Sequence, residues 1–272
     1  AAYDAVCVGP GLGEEEESID FVTEILQTCE KTLIVDADGL NIIAHQNLFP
    51  LLHRRAELYP ERTILTPHMG EARRLLAAPD AENSGTDFAN SSAAGTELSP
   101  MPRAGSALSA ASEPDAFDFS ASASASARER IADALVRKTR AIIVLKGAGT
   151  IVAAEGRPAY TNTTGNPGMA TGGSGDVLSG IITSLAGQRS QLGTALAADR
   201  AAESGIEVSA AAAVQDAEAA PRIRAFEAAL AGVYIHGLAG DLAARELGEY
   251  GVTAEDLALY AAYAIKNILN AK

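Results

Sequence analysis

The hydrophobic pattern alternates between short apolar runs and longer segments in which apolar residues recur at helical spacing. The short runs have the length and the β-branched content of strands, and they lie at residues 3–9, 32–36, 63–65, 141–145, 150–153 and 158–161. Helical spacing is clear between the first two runs, where the apolar positions are Ile19, Val22, Ile25 and Leu26. Alternation of this kind, with strands apolar on both faces, predicts an α/β fold with a mainly parallel sheet between helix layers.

The C-terminal third is predicted to be helical, over residues 226–247 and 254–269. Two other segments interrupt the pattern. Residues 84–127 are rich in Ala, Ser and Pro, and we expect a disordered insertion because they bury too little surface to offset their ordering entropy. Residues 191–224 are rich in Ala and charged residues, and they form either a second insertion or a connecting helix. We therefore predict a single domain, over residues 1–272, that carries two insertions.

Composition restricts the class of function. A formal net charge of −14 argues against a general binder of nucleic acids or anionic membranes, because either needs a basic surface. No apolar run is long enough to span a bilayer, and the first residues do not resemble a signal peptide. Two cysteines predict no disulfide framework, which favours the cytoplasm or an organelle such as the mitochondrion. The first strand begins almost at the first residue, so we expect a further N-terminal segment.

The clearest chemistry lies in a glycine-rich stretch, NPGMATGGSGDVLSG, at residues 166–180. It leads directly into a helix, whose first amides lack acceptors and whose dipole is positive, so it predicts a site for phosphate or an oxyanion. Asp176 would repel an anion, and its expected role is to take a proton from an attacking hydroxyl. The alternative is that Asp176 only caps the helix. A cap does not explain the four residues before it, which are Gly172, Gly173, Ser174 and Gly175.

The same stretch matches neither common nucleotide-binding fingerprint. No lysine follows the glycines as it does in a P-loop, and the glycine spacing of the dinucleotide-binding turn is absent. The sequence therefore predicts phosphoryl chemistry in a different fold.

Two more motifs follow predicted strands. LTPHMGEARRLL, at residues 65–76, places His68 and Glu71 at a strand end, where they can line a pocket. The alternative is that Thr66 and Glu71 only help to start the helix and that His68 lies on the surface. LKGAGT, at residues 145–150, lets Lys146 and nearby amides meet phosphate or a ribose. The alternative for LKGAGT is the glycine turn of a hairpin with a solvated lysine.

Three further features carry weaker signals. VGPGLG, at residues 8–13, is another glycine turn at a strand end. In DADGLN, at residues 36–41, we interpret Asp38 as a turn residue, whereas Asp36 either belongs to the turn or lies near a metal-bound phosphate. His236 and Asp241 fall within a helical pattern of small residues, which favours a satisfied core histidine over a ligand.

Together these motifs resemble the ADP/ATP-dependent NAD(P)H-hydrate dehydratase family of the ribokinase-like superfamily. The matching stretches occur in order along the chain and are VGPGLG, DADGLN, TPHMGE, LKGAGT, GNPGMATGGSGDVLSG and HGLAGDLAARELGEYGVTAEDL. TPHMGE together with the glycine-rich stretch is the most specific part, since many ribokinase-like kinases share a GxGD turn. The resemblance implies a three-layer αβα sandwich that uses ADP or ATP to remove water from hydrated NADH or NADPH.

The resemblance also implies roles for individual residues. The nucleotide would contact Lys146, Gly147, Ala148, Gly149, Thr150, Gly172, Gly173, Ser174 and Gly175. Asp176 would be the catalytic base, and the hydrated dinucleotide would contact Gly11, His68, Glu71, Asn166 and Asp176. Mg²⁺ would accompany the nucleotide phosphates without a cage of protein carboxylates.

The resemblance further implies a homo-oligomer and an upstream segment that completes the substrate pocket, on this polypeptide or on a separate one. Two other functions stay open at this point. One is a small-molecule kinase, in which Asp176 activates a vitamin or sugar hydroxyl. The other is a nucleotide-binding regulator without catalysis.

Overall fold

The computed structural model describes residues 3–79, 117–120, 123–188 and 224–270. Within these residues a single sheet has the strand order β1-β2-β3-β4-β5-β6. The strands are β1 Ala5–Val8, β2 Thr32–Val35, β3 Thr63–Leu65, β4 Ile142–Leu145, β5 Ile151–Ala153 and β6 Tyr160–Thr161. The first four are parallel, whereas β5 is antiparallel to both of its neighbours. The predicted mainly parallel sheet is therefore confirmed.

Helices cover both faces of this sheet. They are α1 Glu16–Thr28, α2 Asp38–His45, α3 Phe49–Leu58, α4 Met69–Ala77, α5 Ala125–Thr139, α6 Ser174–Gly187, α7 Ala225–Leu247 and α8 Ala254–Asn270. Successive side chains of a strand point to opposite faces. Leu33 and Val35 of β2 accordingly join the core under α1 to α5, whereas Ile34 joins the core under α6 and α7. The architecture is the predicted three-layer αβα sandwich. No helix in the described ranges combines the length and apolar character needed to cross a membrane.

Helices α2 and α3 were not predicted, and the interpretation of Asp38 as a turn residue is wrong. Asp38 is the first residue of α2, and the chain reverses one residue earlier, at Ala37, whose φ is 47°. Asp38 accepts a hydrogen bond from the Gly13 amide at 2.9 Å, so its carboxylate joins the turn after β1 to α2. A helix of eight residues is too short for its apolar spacing to stand out from a turn.

The predicted insertions lie mostly outside the described residues. Helix α5 begins at Ala125, capped by Ser124, so the end of the first segment, residues 84–127, is helical. Phe117 and Phe119 pack against the core under α1 to α5. In the second segment, residues 191–224, only Arg224 is described, and it precedes α7 and pairs with Glu227.

The ends of β1 and β2 pack backbone against backbone. Gly9 has a φ of 121°, and a Cβ placed there would lie 1.8 Å from the carbonyl oxygen of Asp36. A Cβ on Gly39 would lie 2.7 Å from Cγ1 of Val35. Only glycine allows this approach, which brings the DADGLN segment beside the VGPGLG turn.

Candidate active site

The predicted motifs meet at one edge of the sheet. VGPGLG follows β1, DADGLN follows β2, TPHMGE follows β3 and LKGAGT follows β4, and all four strands are parallel. Backbone hydrogen bonds continue beyond the strands, from the Thr66 amide to the Val35 oxygen (3.1 Å) and from the Lys146 amide to the Pro67 oxygen (2.8 Å). Ligands of open parallel sheets lie beyond the carboxyl ends of the strands, so this edge is the candidate site.

A buried ion pair lies at the centre of this edge. Nζ of Lys146 is 2.5 Å from Oδ1 of Asp36, whose side chain is only 1% exposed. The other Asp36 oxygen accepts a hydrogen bond from Oγ of Ser179 at 3.1 Å, and the Ala37 amide donates to Oδ1 at 2.8 Å. Asp36, whose role was left open, is therefore the buried partner of Lys146. Ser179 was not singled out from the sequence, since its partner is 143 residues away along the chain.

The LKGAGT segment forms the turn of the β4–β5 hairpin, as one alternative expected. Lys146 is nevertheless not solvated, because its side chain is 17% exposed and paired with Asp36. Gly147 and Gly149 have φ values of 145° and 62°. The Gly147, Ala148 and Gly149 amides donate to no acceptor in the described part of the chain. Three backbone donors are thus available to a ligand.

The start of α6 faces the same region. Its N-cap is Gly173, with a φ of 85°, so the alternative that Asp176 is the helix cap is wrong. Neither the Gly175 nor the Asp176 amide has an acceptor among the described residues. A Cβ on Gly175 would lie 3.3 Å from Nζ of Lys146, so the first turn of α6 lies against the Lys146–Asp36 pair. Gly172 has open space around it.

Asp176 itself is exposed. Its carboxylate has no hydrogen-bonding or ionic partner in the described part of the chain. Because Asp176 lies in the first turn of α6, directly after Gly175, a free proton acceptor stands beside unpaired amides.

His68 and Glu71 form a capping box at the start of α4. Nδ1 of His68 accepts from the amides of Gly70 (2.9 Å) and Glu71 (3.3 Å), and a Glu71 oxygen accepts from the His68 amide at 2.7 Å. The helix-starting role expected of Glu71 is therefore confirmed, whereas that expected of Thr66 is wrong, because Thr66 is buried and its hydroxyl donates to the Val35 oxygen at 3.3 Å. The capping box does not exclude a contact with substrate, because the His68 side chain is 53% exposed.

Electrostatics at this capping box favour a neutral imidazole. Partial burial of the half-exposed imidazole, followed by the positive charge of Lys146, lowers the pKa of His68, which agrees with an Nδ1 that accepts hydrogen bonds. Burial raises the pKa of Glu71, and Lys146, whose Nζ is 3.9 Å away, opposes that shift.

The other predicted substrate residues make no hydrogen bond to this group in the described ranges. Gly11 is exposed, has a φ of 65° and has open space around it. Asn166 donates to Oδ1 of Asp241 at 3.1 Å, and Asp241 also accepts from the Gly165 amide at 2.9 Å. No hydrogen bond joins Gly11 or Asn166 to Lys146 or Asp176 in the described ranges, so their contacts with substrate stay a prediction.

His236 is a core histidine, as the sequence favoured, and it supports the start of α6. It is 9% exposed, and its Nε2 lies 3.4 Å from Oγ of Ser174. Burial lowers its pKa to about 4.

We expect this buried histidine to make the protein less stable in acid. Below its ordinary pKa of about 6.5 the unfolded chain binds a proton, whereas folded His236 does not until about pH 4. The free energy of unfolding should therefore fall by about 2 kcal/mol between about pH 7 and about pH 4.5 through this residue. Urea titrations of the wild type and of His236→Gln at the two pH values measure this contribution. It equals the fall in the free energy of unfolding of the wild type minus that of the variant, because the other titrating groups contribute equally to both.

Thr139→Val is the control, because it also removes a buried polar side chain but no titratable group, and it should leave the pH dependence unchanged. Equal losses of stability in the wild type and in His236→Gln would show that folded His236 is not held neutral.

Comparison with known proteins agrees with this geometry. A family model described as NAD(P)H-hydrate dehydratase matches residues 1–98 and 113–262. The bifunctional NAD(P)H-hydrate repair enzyme of Thermofilum pendens is 36% identical over 97% of this chain and 35% of its own length. That of Moorella thermoacetica is 32% identical over 98% of this chain and 36% of its own length. The chain thus spans about a third of these relatives.

Solved structures show the same fold. The ADP/ATP-dependent NAD(P)H-hydrate dehydratase from Bacillus subtilis, co-crystallised with ATP and Mg²⁺ and soaked with CoA, superposes with a TM-score of 0.59 at 22% identity. The match covers 98% of this chain and 67% of that one. A ribokinase-like protein from Enterococcus faecalis gives a TM-score of 0.55 at 22% identity, over 97% of this chain and 63% of that one. The predicted ribokinase-like fold is confirmed.

Proposed function

Because the chain belongs to the NAD(P)H-hydrate dehydratase family, we propose that it uses ADP or ATP to remove water from hydrated NADH or NADPH. The resemblance inferred from its motifs is thus confirmed at the level of the family. One observation carries the proposed reaction: the exposed, unpartnered carboxylate of Asp176 stands beside the unpaired amides at the start of α6. A proton acceptor next to an anion-binding helix start is what transfer of a phosphoryl group to a hydroxyl requires.

The first step is phosphoryl transfer. Asp176 takes the proton of the hydroxyl on the hydrated nicotinamide ring, and the oxygen attacks the terminal phosphorus of the nucleotide. The bond from that phosphorus to the rest of the nucleotide breaks. The Gly175 and Asp176 amides stabilise the charge on the transferring group, and the amides of the LKGAGT segment hold the remaining phosphates.

The second step restores the ring. Phosphate leaves with the electron pair of the carbon–oxygen bond far more readily than hydroxide would, and the lone pair of the ring nitrogen assists its departure. Loss of a proton from the adjacent ring carbon then forms the double bond. The net change is loss of water from the hydrate and hydrolysis of one phosphoanhydride bond.

Magnesium would accompany the nucleotide phosphates. Within the described residues no group of three or more His, Cys, Asp or Glu side chains could hold a metal ion. The two acids nearest Lys146, Asp36 and Glu71, are buried and already hydrogen-bonded. The site therefore fits an ion that is bound by the nucleotide phosphates and by water, while the unpaired amides bind those phosphates. When bound, it would neutralise part of the phosphate charge.

A direct assay tests the reaction. The protein is incubated with hydrated NADH and either ADP or ATP, and recovery of the absorbance of reduced nicotinamide is followed. Samples without nucleotide, and with a nonhydrolysable analogue of ATP, are the controls. Recovery only with ADP or ATP supports the proposal and also tells which nucleotide is used.

Two other outcomes would contradict it. Absence of recovery together with phosphorylation of a thiazole or pyridoxine would identify a small-molecule kinase. Binding of nucleotide with neither reaction would identify a regulator without catalysis.

We also propose a homo-oligomer in a reducing compartment, the cytoplasm or an organelle. Helix α8 exposes several large apolar side chains, which are Leu259, Tyr263 and Leu269, and such a face supports association. Cys7 and Cys29 are free thiols, which agrees with a reducing compartment. Light scattering coupled to size-exclusion chromatography measures the oligomeric state.

A further inference from the structure

We infer that Arg128 is a positioning residue for the nucleotide loop, defined as residues 146–150. Its guanidinium donates hydrogen bonds to the main chain at this loop and thereby orients the Gly149 amide towards the nucleotide. The inference rests on the proposed function, because it concerns how that loop binds ADP or ATP. Arg128 lies in α5, and neither the motifs nor the resemblance pointed to it.

The contacts of Arg128 are with the main chain at the loop. Its Nη1 donates to the carbonyl oxygen of Ala148, and its Nη2 donates to that of Leu145 at 3.4 Å. Arg128 is only 8% exposed. A Cβ on Gly147 would lie 2.9 Å from Nη2, so the guanidinium packs directly against that glycine. Arg128 therefore contacts the hairpin turn at three residues, Leu145, Gly147 and Ala148.

These contacts determine where the loop amides point. In a trans peptide unit the C=O and the N–H point in opposite directions. The unit whose carbonyl belongs to Leu145 shows this, because its N–H, on Lys146, donates to Pro67 at 2.8 Å. The unit whose carbonyl belongs to Ala148 has its N–H on Gly149, which must point away from Arg128 and has no acceptor in the described part of the chain. That amide is available to a ligand.

The positive charge of Arg128 is a second argument that this residue has a role in nucleotide binding. The guanidinium has no carboxylate partner among the described residues, and its Nε is buried without a hydrogen bond. Burial of the charge lowers the pKa of Arg128. Keeping an unpaired cation out of water is costly, so another residue would be expected here if packing were its only role. Next to a loop that binds phosphates, the positive charge of Arg128 stabilises the bound anionic nucleotide.

The test compares Arg128→Met and Arg128→Lys with Arg130→Met, since Arg130 is exposed on the same helix. We expect Arg128→Met to weaken ATP or ADP binding by at least about tenfold, the effect of losing about 1.4 kcal/mol. Arg128→Lys should raise the KM for nucleotide several-fold and change kcat at saturation by less than about twofold. Arg130→Met should match the wild type in both measurements.

A second measurement needs no nucleotide. The NMR order parameters of the Gly147 and Gly149 amides should fall from about 0.85, typical of a rigid backbone, to below about 0.6 in Arg128→Met. The amides of β4 and β5 should keep their wild-type values. If Arg128→Met does not fold, Arg128→Lys serves in both measurements, with a smaller expected change.

The outcomes distinguish a failure of the proposed function from a failure of the role inferred for Arg128. A wild-type protein that binds neither ADP nor ATP contradicts the proposed function, and the order parameters still test the role of Arg128. Unchanged loop amides in Arg128→Met overturn the inference, and so does a loss of order spread evenly over the sheet. Nucleotide affinity unchanged in Arg128→Met, when the wild type binds, also overturns it.

Discussion

Replacing Asp176 with Asn is expected to reduce kcat about a thousandfold while the affinity for ADP or ATP stays within about twofold of the wild type. Asn keeps the size and polarity of the side chain but cannot take a proton from the ring hydroxyl. The change should not disturb folding, because Asp176 is exposed and is not the cap of α6. Steady-state assays with hydrated NADH, and calorimetric titration with the nucleotide, measure the two quantities.

Asp20→Asn is the matched control, since Asp20 is also an exposed carboxylate on a helix, α1. It should leave both kcat and affinity unchanged. If Asp176→Asn retains more than about a tenth of the wild-type kcat, Asp176 is not the proton acceptor. A variant that loses nucleotide binding instead would assign Asp176 to the nucleotide.

Replacing Lys146 with Met is expected to lower the free energy of unfolding by about 4 kcal/mol. Its partner Asp36 is 1% exposed and would become a buried carboxylate without a counter-charge. Lys146→Met with Asp36→Asn should be more stable than Lys146→Met alone, because the double variant buries no unpaired charge. Urea unfolding of the wild type, the two single variants and the double variant gives the coupling energy.

An exposed ion pair provides the control for this cycle. Arg140 and Glu57 are 3.4 Å apart with both side chains exposed, and Glu57→Gln should cost less than about 1 kcal/mol. A similar small cost for Lys146→Met would mean that the Asp36–Lys146 pair contributes little to folding. The role of the pair in the proposed active site would then be to place Lys146 beside α6.

Apolar patterns made the sheet and the last two helices predictable: short apolar runs indicated the strands, and longer segments with helical spacing indicated the helices. Helices α7 and α8 begin within one residue of their predicted positions, and β3 has the predicted bounds. These elements bury continuous apolar surface, so their spacing is visible along the chain. Helix α2 was missed because it has only eight residues and follows a turn-like motif.

Partners within the site were harder to predict. Asp36 and Lys146 are 110 residues apart along the chain, and no local pattern shows that they pair. Arg128 was missed for another reason: its hydrogen bonds go to carbonyl oxygens, which every residue has, and it lies next to a segment of low complexity. Capping was predictable for Glu71, because the spacing of a capping box is local.

The amino-acid sequence by itself determined the layered α/β fold, the family, the glycine-rich start of α6 and Asp176 as the candidate base. These properties depend on local spacing and on residue types that few other structures need. Only the tertiary structure decided that Lys146 is paired with buried Asp36, and that the guanidinium of Arg128 donates to the carbonyl oxygens of Leu145 and Ala148. Each of those facts depends on the distance between groups far apart in sequence, which folding sets through packing of the sheet and its helices.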